Sequence, residues 1–204
     1  MAEPVQSDAR PGLASRLMRW ALIRLYRSHG WTAQGDIPEP RRFIIIAAPH
    51  TSNWDFLYFL GLTDALGVKS HFMAKQSLFR WPFRRFLLDM GGVPVDRSGG
   101  HNYVEQMAAE FARRDEFILT IAPEGTRGSV RVWKTGFYHI AMAARVPMVV
   151  GLMDYGTKTG GLGPAIWPTG DYEADMAKVA EVYRTVTPKH PDKAMTSITG
   201  KEGE

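Results

Sequence analysis

The apolar run at residues 43–48, with the sequence Phe-Ile-Ile-Ile-Ala-Ala, constrains the fold more than any other segment of the chain. Because it is short and rich in β-branched side chains, it predicts a buried strand rather than a helix. Pro49 ends the strand, since proline cannot donate to a sheet and restricts the residue before it. Ser52 or Asn53 can then cap a helix that begins near Trp54 by accepting from free backbone N–H groups.

The turn between this strand and the helix carries a histidine and an aspartate. His50 follows the strand end, and Asp55 lies in the first helical turn, within reach of the imidazole. A carboxylate that holds one imidazole nitrogen leaves the other free to take a proton. This spacing alone also fits a structural histidine, so the rest of the chain has to decide between the two interpretations.

Three further blocks follow this H-x4-D block. They are Met-Gly-Gly-Val-Pro-Val-Asp-Arg-Ser at 90–98, Ile-Ala-Pro-Glu-Gly-Thr-Arg-Gly at 121–128, and Val-Pro-Met-Val-Val at 146–150. In this order and spacing, the four blocks resemble the glycerolipid (lysophospholipid) acyltransferase family. The fourth block departs from the family pattern, because Gly151 stands where many members continue with proline.

The resemblance implies an O-acyltransferase in which His50 is the general base and Asp55 orients it. The substrate hydroxyl attacks the acyl group, so no protein nucleophile is required. The residues that the resemblance assigns to the acceptor and its phosphate are Lys75, Gly92, Arg97, Glu124, Gly125, Thr126 and Arg127. It ties Pro147 to the acyl-donor region, although Pro147 could instead serve only to start a strand. A structural ion pair between Glu124 and Arg127 is the alternative for the third block.

No cofactor or metal is expected. The co-substrate would be acyl-CoA or acyl-carrier protein, and lysophosphatidic acid is the default acceptor. The sequence leaves open the acceptor, the acyl length and the oligomeric state.

Strands alternating with helices predict a single-domain α/β sandwich in which helices flank a mixed central sheet. The expected strands lie at 43–48, 70–74, 93–96, 117–122 and 148–153, and the expected helices at 54–66, 102–114, 136–144 and 171–185. Residues 156–163 are rich in glycine and are expected to form a flexible turn. The expected division is a disordered lead at 1–10, an amphipathic helix within 11–30, an acyltransferase domain at 40–187 and a loose tail at 188–204.

Two segments combine arginines with aromatic side chains. The helix expected at 13–27 places Leu17, Leu22 and Leu25 on one side and several arginines on the other. The segment 78–88 has a similar mixture and should break at Pro82. Both suit the headgroup region of a membrane, whereas the alternative is helices that pack their apolar sides on the domain.

Composition limits the classes of partner that the protein is expected to bind. The net charge of +4 suits nucleic acid or anionic lipid, but no zinc-finger, KH or RRM signature is present, so no nucleic-acid partner is expected. No apolar run approaches the length of a membrane span, and no signal peptide is visible. We therefore expect a peripheral or monotopic protein on the cytoplasmic face of a membrane, where acyl thioesters are made.

Two other functions remain as alternatives. The first is a non-catalytic, lipid-binding peripheral membrane protein on the same fold. The second is a metal-assisted hydrolase that uses His50, Asp55 and Glu124, although the six histidines lack the usual ligand spacing.

Overall fold

The computed structural model describes residues 11–95, 102–126, 128, 132–194 and 198. Within these residues, seven strands form one mixed sheet in the order β1-β7-β6-β2-β5-β3-β4. The strands are β1 (Thr32–Gln34), β2 (Arg42–Ala47), β3 (Ser70–Lys75), β4 (Gly92–Val95), β5 (Phe117–Ile121), β6 (Met148–Asp154) and β7 (Thr159–Ile166). Strands β6 and β7 are antiparallel, and every other neighbouring pair is parallel. The predicted mixed sheet is confirmed.

Helices cover both faces of the sheet. They are α1 (Leu13–Ser28), α2 (Trp54–Ala65), α3 (Arg84–Asp89), α4 (Asn102–Arg113), α5 (Gly136–Ala144) and α6 (Tyr172–Tyr183). Helices α4, α5 and α6 contribute to the larger core cluster on one face, and α1 and α2 pack together over the other face. The α/β sandwich predicted from the alternation of strands and helices is therefore present.

Strand β2 lies at the centre of the sheet and is buried on both faces. Ile44 and Ile46 belong to the larger core cluster, whereas Phe43 and Ile45 point into a smaller cluster on the opposite face. A strand covered on both faces needs apolar residues at successive positions rather than at alternate ones. This explains the continuous apolar run from which the strand was predicted.

The glycine-rich segment differs from its prediction. Most of residues 156–163 are not a flexible turn, because β7 begins at Thr159 and pairs with both β1 and β6. At Gly161, φ is +144°, and a Cβ would overlap the carbonyl oxygen of Gln34 in β1. Glycine is therefore required here for close strand packing. Strand β1 lies between the helix expected within 11–30 and the strand expected at 43–48, where no strand was predicted.

Helix α1 packs on the domain through fewer of its side chains than its predicted apolar side contains. Ser15 and Tyr26 are buried, and Arg19 donates to Asp64 of α2 at 3.2 Å. The ring of Tyr26 fills the space that a side chain at Gly61 would need. Most of the apolar residues of α1 remain exposed, namely Leu13, Leu17, Met18, Trp20 and Leu25.

The ends of the chain are described only in part. The lead at 1–10 lies outside the described residues, and so does most of the tail beyond Ala194. Where the tail is described, the backbone N–H of His190 donates to Thr51 Oγ1 at 3.2 Å. None of the helices in the described part of the chain is long and apolar enough to cross a membrane.

Candidate active site

The turns that carry the first and third sequence blocks meet at the carboxyl ends of neighbouring strands. Strands β2 and β5 are parallel and adjacent, so the turn that carries His50 lies beside the turn that carries Glu124. The chain leaves β2 for α2 on one face and leaves β5 for α5 on the other. In open α/β sheets, such a reversal opens a crevice where ligands bind.

The His50–Asp55 contact predicted from the sequence is present. The Nδ1 atom of His50 lies 2.9 Å from Oδ2 of Asp55. The same oxygen accepts from the backbone N–H groups of Thr51 at 3.0 Å and Ser52 at 2.9 Å. Asp55 is buried, and the turn before α2 is therefore wrapped around its carboxylate. Asn53 makes no side-chain cap, but Ser52 Oγ accepts from the N–H of Trp54 at 3.2 Å.

The surroundings of Asp55 keep it ionised. Burial by itself would raise its pKa, but the hydrogen bonds from His50, Tyr155 and the Ser52 backbone outweigh burial and hold the pKa below its ordinary value. An ionised carboxylate can only accept hydrogen bonds. Nδ1 of His50 must therefore carry the proton in this contact, and Nε2 is left free as a base.

Glu124 contacts the same histidine from the other side. Its Oε2 atom accepts from the backbone N–H of His50 at 2.8 Å, and the residue is 5% exposed. Burial raises the pKa of Glu124, and the hydrogen bond from His50 opposes only part of that rise. The carboxylate thus holds the backbone of the catalytic candidate. Its contact with an acceptor stays a prediction.

An apolar cavity of about 670 Å³ opens beside His50. It runs between the sheet and α2, and its apolar lining includes Ile45, Phe59, Leu62, Leu66, Val68 and Phe72. Cavities of this size and composition suit the apolar part of a small ligand. One site therefore combines His50, the candidate base, with space for a hydrocarbon chain.

The other predicted site residues fall into three groups. Lys75, Gly125 and Thr126 line the same cavity as His50. Gly92 lies outside the lining, and a Cβ there would meet Leu87 O at 2.7 Å, so packing alone accounts for this glycine. Arg97 and Arg127 lie outside the described residues.

Pro147 is not brought to the His50 cluster. It precedes β6, and its carbonyl accepts from the N–H of Ile44 at 3.0 Å, near the amino ends of the strands. His50 lies beyond their carboxyl ends, roughly 20 Å away at about 3.3 Å per residue. The fourth block instead reaches the cavity through Gly151, where a Cβ would lie 2.8 Å from both Ile45 Cγ2 and Ile46 O. A donor-binding role for Pro147 stays a prediction.

No sequence pattern pointed to Tyr155, whose hydroxyl donates to Oδ1 of Asp55 at 2.5 Å. Tyr155 follows β6, which pairs with β2 in parallel. Residues just beyond the ends of neighbouring parallel strands lie close together, and this rule could have identified the tyrosine once the strand order was known. Among the described residues, no group of three or more His, Asp or Glu side chains is arranged to hold a metal ion.

Comparisons with known proteins identify the family. The acyltransferase family model matches residues 32–151, which is more than half of the chain. No curated protein sequence matches at a significant level. Among solved structures, the chain is similar to the 1-acyl-sn-glycerophosphate (LPA) acyltransferase PlsC from Thermotoga maritima. The TM-score is 0.56 at 22% identity, and the match covers 83% of this chain and 78% of that one. The resemblance found in the sequence is thereby confirmed for the family and the fold: the chain belongs to the acyltransferase family.

Proposed function

We propose that this acyltransferase moves a fatty acyl group from an acyl thioester to the hydroxyl of a lysophospholipid, with His50 as the general base. The observation that carries this proposal is the position of His50. Its Nδ1 is held by an ionised carboxylate, and its ring lines an apolar cavity beside the strand ends. A base at the edge of an apolar cavity is what transfer of an acyl chain to an alcohol requires.

In the proposed reaction, His50 carries a proton from the acceptor hydroxyl to the leaving thiolate. Nε2 of His50 takes the proton of the acceptor hydroxyl while the oxygen attacks the thioester carbonyl carbon. The tetrahedral intermediate then collapses, the C–S bond breaks, and the leaving thiolate takes the proton from the imidazolium. Asp55 stabilises the imidazolium, as the carboxylate does in hydrolase triads.

The acceptor is proposed to be a lysophospholipid, with lysophosphatidic acid as the first candidate. Lys75 lies at the cavity and is exposed, so its ammonium group is available to an anionic headgroup. Arg97 and Arg127 are proposed as further phosphate contacts from the family resemblance. The structural neighbour described above is named for lysophosphatidate, which supports this choice. The donor is acyl-CoA or acyl-carrier protein.

We propose that the protein works at the surface of a membrane, on its cytoplasmic face. The segment between β3 and α3 exposes three large apolar side chains, Leu78 at 56%, Trp81 at 92% and Phe83 at 64%. Arg80 lies among them, and Arg84 and Arg85 follow directly at the start of α3. Apolar side chains beside arginines suit the boundary between lipid tails and anionic headgroups. Leu78 also lines the cavity, so this surface adjoins the proposed acyl site.

A thiol-release assay tests the proposed function. Purified protein is mixed with liposomes, palmitoyl-CoA and a panel of lysophospholipids, and His50→Ala is run in parallel. His139→Ala is the matched control, because His139 is an exposed histidine on α5, over the opposite face of the sheet. We expect acceptor-dependent thiol release that is lost in His50→Ala and kept in His139→Ala.

The other outcomes separate the alternatives. Thiol release without an acceptor would indicate a thioesterase. If neither palmitoyl-CoA nor palmitoyl-carrier protein gives product above the His50→Ala level while liposome binding persists, the proposal fails. The non-catalytic, lipid-binding alternative would then be favoured.

A further inference from the structure

The two carboxylate oxygens of Asp55 are held by different parts of the molecule. Oδ2 accepts three hydrogen bonds from the turn that contains Asp55 itself, from His50 Nδ1 and from the Thr51 and Ser52 amides. Oδ1 accepts from Tyr155, which is one hundred residues further along the chain. Within the described residues, no other donor reaches Oδ1. The turn fixes one oxygen, and Tyr155, directly after β6, fixes the other.

Packing contacts and a backbone hydrogen bond fix the position of Tyr155. Its ring packs edge-on against Tyr58 at 5.5 Å and against Trp31 at 5.1 Å between centroids. The ammonium group of Lys189 lies 5.4 Å from the ring centroid, and the backbone N–H of Tyr155 donates to Thr187 O at 2.8 Å. The hydroxyl therefore has little freedom to leave Asp55.

We propose that Tyr155 is a positioning residue of the acyltransferase, which fixes the plane of the Asp55 carboxylate and thereby holds His50 in the tautomer with Nδ1 protonated. This inference rests on the proposed role of His50 as the base. It adds to that role a residue that lies outside the four sequence blocks and is not part of the cavity lining.

The hydrogen bond from Tyr155 matters because it restricts rotation of the Asp55 carboxylate. A carboxylate held at one oxygen can turn about its Cβ–Cγ bond, and the hydrogen bond to Nδ1 then loses its alignment. The Nε2-protonated tautomer of His50 would then compete, and it has no free base facing the acceptor. Burial and the hydrogen bond to Asp55 both raise the pKa of the Tyr155 hydroxyl, so it remains a donor across the working pH range.

In the part of the chain that the structure describes, four charged or titratable groups face Asp55 and Tyr155 besides each other, namely His50, Glu124, Tyr58 and Lys189. Asp55 faces His50 and Tyr155 directly, and Glu124 lies on the far side of His50. Tyr155 faces Tyr58 and Lys189. Replacing tyrosine by phenylalanine keeps the ring that Lys189 and Trp31 contact and removes only the hydroxyl. The change therefore isolates the hydrogen bond.

The test compares Tyr155→Phe with Tyr58→Phe. Tyr58 belongs to the same aromatic cluster, but its hydroxyl contacts His29 Nδ1 at 2.8 Å and not Asp55. For each protein, kcat and KM are measured, the His50 tautomer is followed by ¹⁵N NMR of the imidazole, and thermal unfolding is recorded. We expect Tyr155→Phe to lose roughly ten-fold in kcat. KM should stay within about two-fold, since uniform substrate binding is untouched.

The tautomer of His50 is the measurement that decides the test. In Tyr155→Phe we expect signals of both His50 tautomers, whereas Tyr58→Phe should match the wild type in tautomer and kcat. A Tyr155→Phe protein with wild-type kcat and a single Nδ1-protonated tautomer would overturn the proposal. So would equal losses of kcat in both variants, since that result would indicate packing alone. If the wild type transfers no acyl group, the proposed function fails, and the tautomer comparison still tests Tyr155.

Discussion

Two buried carboxylates flank His50, and their surroundings move their pKa values in opposite directions. Asp55 receives hydrogen bonds from two side chains and two backbone amides, and together they outweigh the effect of burial and lower its pKa. Glu124 receives one such bond from the His50 amide, and burial dominates and raises its pKa. The opposite shifts predict opposite effects of neutralising each charge by substitution.

The first residue-scale prediction concerns Asp55→Asn. We expect kcat to fall by about 10³- to 10⁴-fold, because an amide cannot hold Nδ1–H and stabilise the imidazolium as a carboxylate does. The folded-state pKa of Asp55 lies below its ordinary value of 3.8. Its stabilising contribution is therefore present above that value and is lost as the pH falls through the folded-state pKa.

Denaturant unfolding between pH 2 and pH 7 measures this contribution. The wild type should lose more free energy of unfolding on acidification than Asp55→Asn does, and the two proteins should converge at low pH. Parallel curves for the two proteins would contradict the prediction.

The second residue-scale prediction compares two substitutions of Glu124. Its folded-state pKa lies above its unfolded-state value, so stability is highest below the unfolded-state pKa and falls as the pH rises through the folded-state pKa. Glu124→Gln keeps an oxygen for the His50 amide and removes the buried charge, so it should be no less stable than wild type at pH 7. Glu124→Ala leaves that amide unpaired and should cost about 1–3 kcal/mol.

Chemical unfolding at pH 7 distinguishes these cases. Equal destabilisation by glutamine and alanine would indicate that the charge itself stabilises the fold, as it would in an ion pair with a cation such as Arg127.

At the scale of elements, β1 and β7 are the strands that the sequence did not reveal, and β7 is the longer of the two. The glycines of β7 remove the alternation of apolar and polar side chains by which strands are recognised, although at Gly161 a Cβ would overlap the Gln34 carbonyl of β1. Residues 43–48 were easier to predict, because burial on both faces gives a continuous apolar signal. A strand whose packing depends on the absence of side chains gives no such signal.

Gly161→Ala tests this account of β7. The substitution combines an unfavourable φ with overlap on the Gln34 carbonyl, so we expect it to cost more than about 3 kcal/mol of unfolding free energy. Gly67→Ala is the matched control, since Gly67 also has a positive φ of +65° but has open space around it. That change should cost about 1 kcal/mol. An equal loss of unfolding free energy in both variants would show that the close approach of β1 and β7 does not contribute to the requirement for glycine at position 161.

The exposed segment between β3 and α3 carries the prediction for membrane binding. Trp81→Ser combined with Phe83→Ser should weaken binding to vesicles with anionic lipid by at least about ten-fold, since each buried aromatic side chain contributes about 1.5–3 kcal/mol. Trp167→Ser is the control, because Trp167 is 57% exposed but follows β7, beside the amino end of β6. Vesicle flotation measures both. The proposal of a membrane-facing segment fails if Trp167→Ser weakens binding as much as the double change.

At the scale of the whole molecule, the site is assembled from three strand ends. The positions of His50, Asp55 and Glu124 were predictable, because these residues lie in two short blocks that each follow a strongly apolar strand. Tyr155 was not, because its place beside Asp55 follows from the pairing of β6 with β2, which no local pattern encodes. The cavity was also beyond prediction, since its walls come from both the sheet and α2.

The cavity gives the prediction that depends on the whole architecture. Leu66 follows α2 and lines the cavity about twelve residues after Trp54, roughly 18 Å along the helix from the His50 turn at 1.5 Å per residue. If the acyl chain lies along α2, Leu66→Trp fills the far end and should shift the preferred donor towards shorter chains. Each methylene that loses its place should cost about 0.8 kcal/mol, or roughly four-fold in kcat/KM.

The control for this change adds the same ring elsewhere in the cavity lining. Leu78 is 56% exposed in the segment after β3, so Leu78→Trp adds volume there without filling the far end beside Leu66. A series of acyl-CoA donors of increasing length, assayed with one acceptor, should show a shorter optimum for Leu66→Trp and an unchanged optimum for Leu78→Trp. An unchanged optimum in both variants would mean that the acyl chain does not extend along α2, and that the cavity holds another part of the substrates.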